Sequence, residues 1–216
     1  MKSSTKPAPL FKGLEDDQLR ALSERAVAKT FPKNAIIINE GDETNALYVI
    51  VSGRVKVFLS NENGKEIVLT TEGPGEYFGE MALDEGPRSA SVMTLEPCKF
   101  LVIPRADVAQ FLSKNPDFAL HLVRNLIHRV RVLTDNVKSL ALQDVYGRFA
   151  RMLRELATER DGKLVVEEKL TQQDMASRIG ASREMVSRIT KELTTGGFIA
   201  IDGKRIVIKK KLPLEW

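Results

Sequence analysis

Cysteine is nearly absent from this chain, since Cys98 is the only one among 216 residues. One thiol cannot form an intramolecular disulfide framework, a four-cysteine iron–sulfur cluster or a paired-cysteine zinc site. Cys98 lies in the strand-like run CKFLVIP. Buried cysteine behaves as a small apolar residue. We therefore expect Cys98 to pack in a core and not to act in redox chemistry.

Histidines and long apolar runs are also scarce. His121 and His128 are the only histidines, and we expect them to be solvated residues of one helix face, a metal pair being the alternative. Without a convincing metal cluster or nucleophile–base pair, we expect no enzyme. No apolar run approaches the roughly 18–20 residues of a membrane span, and the first residues, MKSSTKPAPLFKGL, lack the apolar stretch of a signal peptide. We expect a cytoplasmic protein with no membrane partner.

Excess positive charge is confined to one end of the chain. Acidic and basic side chains balance over residues 1–143, so the formal net charge of +4 lies within residues 144–216. A basic surface at one end is typical of a polyanion-binding module. The lysines of KKK at 209–211 supply part of this excess, so the charge alone does not identify the polyanion.

Short β-branched runs dominate the chain from Phe31 to about residue 104. Examples are AIIINEGD, ALYVIVSGRVKVFLS and EIVLTTEGPGEYFG, separated by glycine-containing turns. Strands of this length and spacing predict a sandwich or jelly roll. Asn63-Gly64 predicts a hairpin turn, because both residues tolerate positive φ. Residues 9–30 are predicted to form short helices.

A long helix is predicted from Pro116 to about Leu142. Asn115 is a candidate cap, and proline suits the first helical position. Apolar residues then recur with alternating spacings of four and three, which is typical of a coiled-coil seam. The simplest partner is a second copy of the chain, as a parallel homodimer; the alternative is a helix lying on its own domain. The predicted dimer residues are Ala119, Val123, Leu126, Val130, Leu133, Val137 and Leu140.

Residues 170–193, LTQQDMASRIGASREMVSRITKEL, match a helix-turn-helix. A helix beginning at Asp144 precedes them. Thr171 and Asp174 fit a capping box that opens the first helix of the pair. Gly180 is predicted to end it, and Ser182 to cap the second.

The second helix separates polar from apolar residues when it is projected at 100° per residue. Met185, Val186, Ile189 and Leu193 form a core stripe, and a charged face lies opposite. Arginine forks match the acceptors of guanine in the major groove, and a carboxylate can accept from the cytosine amino group. The alternative is a surface helix with an incidental charged face. We predict double-stranded DNA as the partner.

The run FIAIDGKRIVIKK predicts a final hairpin with Asp202-Gly203 at its tip. Such a wing would touch phosphates without reading bases, and the start of the first helix would do the same. The predicted DNA-binding residues are Thr171, Gln173, Ser182, Arg183, Glu184, Ser187, Arg188, Lys204 and Arg205.

Two motifs and their order resemble the cyclic AMP receptor protein/FNR superfamily of bacterial transcription regulators. FGEMALDEGPRSASV, residues 78–92, resembles its phosphate-binding cassette. ASREMVSRITKEL, residues 181–193, resembles the recognition helix of its cyclic AMP receptor protein branch. The resemblance covers essentially the whole chain. Cluster- and haem-sensing branches fit less well, because the N-terminal cysteines of the cluster type are missing, so we expect no metal, haem or iron–sulfur cluster.

The resemblance implies roles for the cassette. Arg88 would pair with a cyclic phosphate, Ser89 would donate to the same phosphate, and Glu80 would accept from the ribose 2′-hydroxyl. Gly79 and Ala82 would let the backbone approach. The alternative is a buried Glu80–Arg88 salt bridge without a ligand. The implied ligand residues are Gly79, Glu80, Met81, Ala82, Arg88, Ser89, Ala90, Thr134 and Asp135.

The chain departs from the resemblance where the base would bind. Cyclic AMP-responsive members carry two adjacent hydroxyl residues on the dimer helix, and the corresponding residues here are Leu133 and Thr134. Asp135 follows, and a carboxylate can accept from adenine or from guanine. Cyclic AMP is therefore the favoured effector, with cyclic GMP, another ligand or no nucleotide as alternatives.

We thus predict an α+β protein in three parts. A cyclic-nucleotide-binding jelly roll would cover residues 1–115, a dimerisation helix and hinge 116–143, and a winged helix-turn-helix 144–216. The resemblance implies a homodimer that reads TGTGA-like palindromes, contacts RNA polymerase and is controlled allosterically by its ligand. The alternative keeps the architecture without control by cyclic AMP.

Overall fold

The computed structural model describes residues 25–43, 45–84, 86–203 and 205–212. They form two compact units. The first contains the described chain up to Leu59 together with residues 69–133, and the second contains residues 60–68 and the described chain from Thr134 onward. The helices expected between residues 9 and 24 lie outside the described residues. No helix within the described ranges is long and apolar enough to cross a membrane.

Short strands between residues 27 and 104 build two four-stranded sheets. Their strand orders are β1-β8-β3-β6 and β2-β7-β4-β5, and neighbouring strands such as β3 and β8 run antiparallel. This is the β architecture that the spacing of the apolar runs predicts. The strands are β1 (Val27–Phe31), β2 (Ile36–Ile38), β3 (Ala46–Ser52), β4 (Val55–Ser60), β5 (Glu66–Glu72), β6 (Tyr77–Phe78), β7 (Ser91–Thr94) and β8 (Cys98–Pro104).

The alternation of side chains along β3 divides the core into two layers. Ile50 packs with buried residues of both sheets, and so does Cys98, as expected. Leu47 and Val49 point to the opposite face, where Phe111 and Phe118 of two helices cover the sheet. Side chains on one strand alternate between faces, so one strand serves both layers.

Two elements of this part of the chain differ from the prediction. Val27–Phe31 is a strand paired with β8, not the end of a helix. Most of its side chains are exposed. Backbone hydrogen bonds hold such a strand in the sheet, so its sequence shows no clear apolar pattern. Helix α1 (Arg105–Lys114) was not predicted. The predicted hairpin at Asn63-Gly64 forms, since β4 and β5 are neighbours in their sheet, but only Gly64 has positive φ.

Helix α2 runs from Pro116 to Leu142, as predicted. Leu126 lies partly buried against the core of the first unit, so it does not belong to an exposed stripe. Leu120 and Ile127 are exposed instead, although the seam did not include them. The exposed large apolar side chains of α2 are Leu120, Val123, Ile127, Val130, Leu133, Val137, Leu140 and Leu142.

The second unit packs three helices against a small sheet. Buried apolar side chains such as Phe149, Leu153 and Leu193 form its core. The helices are α3 (Val145–Leu156), α4 (Gln172–Ile179) and α5 (Arg183–Thr195). The sheet has the order β11-β12-β10-β9, with β9 (Thr158–Arg160), β10 (Lys163–Val166), β11 (Ile199–Asp202) and β12 (Arg205–Ile208).

The predicted helix ends of this unit are confirmed. Asp144 accepts a hydrogen bond from the backbone of Gly147, and Thr171 with Asp174 forms the capping box. Gly180 ends α4 in the left-handed conformation, and Ser182 caps α5. The hairpin β9–β10 was not predicted, because its strands are short and rich in charged residues.

Candidate functional site

The cassette begins with a backbone turn that only glycine fits well. Gly79 has φ 82° and precedes a 3-10 turn, Glu80–Leu83. A Cβ atom at Gly79 would lie 2.9 Å from the carbonyl oxygen of Ala46 and 3.3 Å from Nη1 of Arg88. The turn is therefore drawn close to β3 and to the arginine.

Arg88 is buried, with 4% of its surface exposed. Its Nη1 donates to the carbonyl oxygen of Gly79 at 2.5 Å, and its Nη2 donates to that of Ala46 at 2.8 Å. Burial lowers the pKa of the guanidinium, and the charges of nearby Glu80 and Asp42 act in the opposite direction. The two carbonyl groups fix the guanidinium beside the turn.

Glu80 forms an ion pair with Arg129, a residue of α2 that the sequence analysis did not single out. Nη1 of Arg129 lies 2.9 Å from Oε1 of Glu80. The expected alternative was a bridge between Glu80 and Arg88, whereas the structure joins Glu80 to α2. The cassette and the helix are thus connected by charge within the first unit.

Arg129 also contacts a second carboxylate and an aromatic ring. Its Nη2 lies 3.5 Å from Oε1 of Glu72 and donates to the carbonyl oxygen of Tyr77 at 2.5 Å. Its guanidinium carbon lies 4.5 Å from the centre of the Tyr77 ring. Burial lowers the pKa of Arg129, but Glu80, Glu72 and Tyr77 together raise it above its ordinary value. This guanidinium therefore stays charged.

Glu72 is the buried acid of this cluster. Burial raises the pKa of its carboxyl group to about 7, although Arg129 lowers it. A hydrogen bond shared with Glu76 raises it further, whereas one from Thr70 lowers it. Glu72 therefore changes its charge near neutral pH, unlike an ordinary surface glutamate.

The signal for this cluster in the sequence is weak. Glu72 ends the strand EIVLTTE, and Arg129 lies among apolar and charged residues of α2. A charged residue at such positions needs a partner. The identity of the partner depends on which strand end faces the helix, and local patterns do not contain that information.

The other residues expected at the ligand site have varied surroundings. Ser89 is exposed, Ala82 and Ala90 are buried, and Met81 is 43% exposed. Thr134 and Asp135 are exposed on α2. They belong to the second unit, so their role at the ligand remains a prediction.

The predicted recognition helix, α5, has the two faces that its sequence indicates. Arg183, Glu184 and Arg188 are exposed, and Ser187 is half-buried. The opposite side is anchored by Val186, Ile189, Thr190 and Leu193, which are buried. The side chains needed for base contacts are therefore available to a partner.

The other residues predicted to bind DNA lie at two helix starts and on the final hairpin. Thr171 and Gln173 are exposed at the start of α4, and Ser182 is exposed at the start of α5. Arg205 is exposed on the final hairpin, whereas Lys204 lies outside the described residues. A side chain of α3 holds the turn between α4 and α5, because Nε of Arg148 donates to the carbonyl oxygen of Ile179 at 2.8 Å.

No metal-ligand cluster occurs in the part of the chain that the structure describes. There, no three histidine, cysteine, aspartate or glutamate side chains are grouped as ligands. His128 is half-buried, and the side chain of His121 is not described. Burial raises the pKa of the Cys98 thiol, which makes the reactive thiolate less available.

We predict that Glu72→Gln changes the pH dependence of stability. The folded pKa of Glu72, about 7, lies above the ordinary value of a glutamate side chain. The folded state therefore holds a proton that the unfolded state has lost, and this contribution to stability disappears as pH rises through 7. Glutamine resembles the protonated acid. Between pH 5 and pH 8, the free energy of unfolding measured in urea should therefore fall by about 1–3 kcal/mol less in the variant than in the wild type.

Glu96→Gln is the matched control, since Glu96 pairs with Arg54 and its side chain is 43% exposed. It should keep the wild-type pH profile. A wild-type profile in Glu72→Gln as well would contradict the raised pKa.

Two family models match the chain. The cyclic nucleotide-binding domain matches residues 28–115, and the Crp-like helix-turn-helix domain matches residues 147–215. A CRP-like cAMP-activated global transcriptional regulator of Mycobacterium tuberculosis is 33% identical over 206 residues, covering 93% of this chain and 92% of that protein. The cAMP-activated global transcriptional regulator CRP of Pasteurella multocida is 36% identical over 186 residues, covering 82% and 88%.

A solved structure is similar over nearly the same length. The c-di-GMP responsive global regulator CLP of Xanthomonas campestris has a TM-score of 0.81 and 25% identity, covering 91% of this chain and 100% of that chain. The order of ligand domain, helix and helix-turn-helix is thus the one expected from the two motifs. The chain belongs to the cyclic AMP receptor protein/FNR superfamily of transcription regulators, near its cyclic AMP receptor protein branch.

Proposed function

We propose that this protein is a cytoplasmic homodimer whose affinity for DNA is set by a cyclic nucleotide, with cyclic AMP as the favoured effector. The observation that carries the proposal is the buried Arg88, held by the carbonyl groups of Gly79 and Ala46 beside the 3-10 turn. A buried guanidinium is costly to desolvate. A bound phosphate would form charge-assisted hydrogen bonds with it.

The cassette provides groups for each part of a cyclic nucleotide. Arg88 would hold the phosphate with two parallel N–H bonds, and the exposed Ser89 would add a hydroxyl donor. Glu80, fixed by Arg129 at 2.9 Å, would accept from the ribose 2′-hydroxyl. Gly79 would admit the ligand to the backbone, because any larger residue would clash with Ala46.

The base would be read from α2. Thr134 lies about 40° around the helix from Val130, so it shares a side with the exposed apolar residues, and Asp135 lies about 100° further round. Thr134 would therefore reach a base held between two copies of α2 more readily than Asp135. Leu133 lacks the hydroxyl of cyclic AMP-responsive relatives, so cyclic GMP and another ligand remain alternatives, and the relative in Xanthomonas campestris responds to c-di-GMP.

The exposed side of α2 would form the dimer contact. Val130 and Val137 are 62% and 65% exposed, seven residues apart on the helix. Apolar residues repeated with this period pack against an identical helix in a parallel coiled coil. We retain the predicted division into a jelly roll (1–115), a dimerisation helix with hinge (116–143) and a DNA-binding part (144–216).

Two copies of α5 would read a palindrome with TGTGA-like half-sites. Arg183, Glu184 and Arg188 would contact base edges, and Thr171, Gln173 and Arg205 would contact phosphates. The ligand would favour the arrangement in which the two recognition helices lie about 34 Å apart, one turn of DNA. RNA polymerase is the further partner that membership of the family suggests.

The nucleotide site is tested by Arg88→Gln. Glutamine can still donate to a carbonyl group but lacks the charge, whereas alanine would also leave two carbonyl groups without their donor. We expect cyclic AMP or cyclic GMP affinity to fall at least tenfold in calorimetry while the melting temperature stays close to wild type. Arg54→Gln, which removes an exposed arginine from the same unit, should bind like the wild type. Unchanged affinity in Arg88→Gln would refute the phosphate role.

The dimer is tested by Val130→Glu. A carboxylate at the centre of an apolar interface is unpaired and desolvated, so we expect dissociation to monomers in analytical ultracentrifugation. Arg124→Glu is the control, because Arg124 is exposed on α2 about 120° away from Val130. A dimer that persists in Val130→Glu would place the interface elsewhere.

Base reading is tested by Arg183→Ala. We expect a loss of about 1–3 kcal/mol per half-site, with one base preference relaxed, in competition binding to a set of single-base operator variants. Lys163→Ala removes an exposed cation of β10 in the same unit and should leave base preference intact. An equal loss on every DNA sequence would show that Arg183 contacts only phosphates.

A further inference from the structure

One buried group of the first unit has no task in the proposed nucleotide contacts. Glu72 is 5% exposed and ends β5, eight residues before Glu80. Its Oε1 lies 3.5 Å from Nη2 of Arg129. The same guanidinium binds Glu80 through Nη1 at 2.9 Å. Two carboxylates therefore share one arginine.

The groups around Glu72 come from four parts of the chain. Thr70 on β5 donates its hydroxyl to Oε1 at 3.3 Å. Glu76, in the following turn, shares a hydrogen bond with Glu72 and also accepts from the backbone of Gly73. Tyr77 of β6 lies under Arg129, whose guanidinium comes from α2. Among these neighbours, Arg129 carries the positive charge.

We propose that Glu72 is a proton-linked positioning residue of the nucleotide site, which by releasing or binding a proton sets how Arg129 is shared with Glu80. The proposal rests on the proposed function. When Glu72 is ionised, it draws Arg129 toward the end of β5. When Glu72 is neutral, the guanidinium pairs with Glu80 alone, and Glu80 would in turn hold the ribose.

The charge of Glu72 would also change the affinity for the ligand. The pKa of Glu72 is raised to about 7, chiefly by burial, so the free protein near neutral pH contains both forms. A bound phosphate anion disfavours the ionised form and raises this pKa further. Binding therefore takes up a proton, and nucleotide affinity falls as pH rises through and above 7.

The experiment is calorimetry with cyclic AMP, and separately with cyclic GMP, between pH 6 and pH 9. For the wild type we expect about a three- to tenfold loss of affinity across this range, because a nearby charge shifts a carboxyl pKa by about half a unit to one unit. Glu72→Gln should have no such dependence and should bind more tightly than the wild type at pH 9. Glu96→Gln should behave like the wild type.

Proton uptake provides a second readout that a purely structural role would not change. Titrations near pH 7.5 in buffers with different ionisation enthalpies measure the protons bound with the nucleotide. We expect a fractional uptake for the wild type that is lost in Glu72→Gln. The urea unfolding described above checks that each variant is folded.

The outcomes separate this inference from the proposed function. If the wild type binds neither nucleotide at any pH, the proposed function fails and the inference fails with it. If the wild type binds but its affinity is flat with pH, or if Glu72→Gln keeps the wild-type slope and proton uptake, only the role of Glu72 is overturned.

Discussion

The ion pair between Arg129 and Glu80 is the contact on which the proposed ligand chemistry of this protein depends. It joins the turn of the cassette to α2, and α2 also carries the exposed apolar side chains. A ligand that changes the surroundings of Glu80 would therefore act on a helix that continues into the DNA-binding unit.

Two arginines of the first unit, Arg88 buried and Arg129 half-buried, contact different kinds of group. Arg88 donates to two carbonyl groups, which fix its position and carry no formal charge. Arg129 faces two carboxylates and an aromatic ring. The proposed binding of phosphate and the proposed orientation of the ribose contact thus use different arginines.

Local sequence chemistry predicted much of this structure. Some features depend only on neighbouring residues, so they can be predicted from the sequence. Examples are the cap formed by Thr171 and Asp174, the left-handed Gly180 and the start of α2 at Pro116. The strand β1 and the pair Glu72–Arg129 depend on elements far apart in sequence. Their partners follow from the order of strands in a sheet, and no short pattern contains that order. The glycine and arginine of the cassette were predicted through a resemblance, whereas the hydrogen bond from Arg88 to Ala46 and the close approach of Gly79 to the same carbonyl group came from the fold.

The ligand-binding and DNA-binding parts of the chain differ in how closely their residues match those that the resemblance implies, and this difference has a physical basis. Reading a base requires a fixed set of donors and acceptors, and Arg183, Glu184 and Arg188 are all present and exposed. Holding a ligand tolerates more variation, because the phosphate, the ribose and the base are bound by separate groups. In the proposed site, Leu133 would alter the contact to the base and Glu72 would add a charge beside the ribose contact, while Arg88 and Gly79 match the resemblance. Such changes would adjust which ligand is bound, and at what pH, without altering the face of α5.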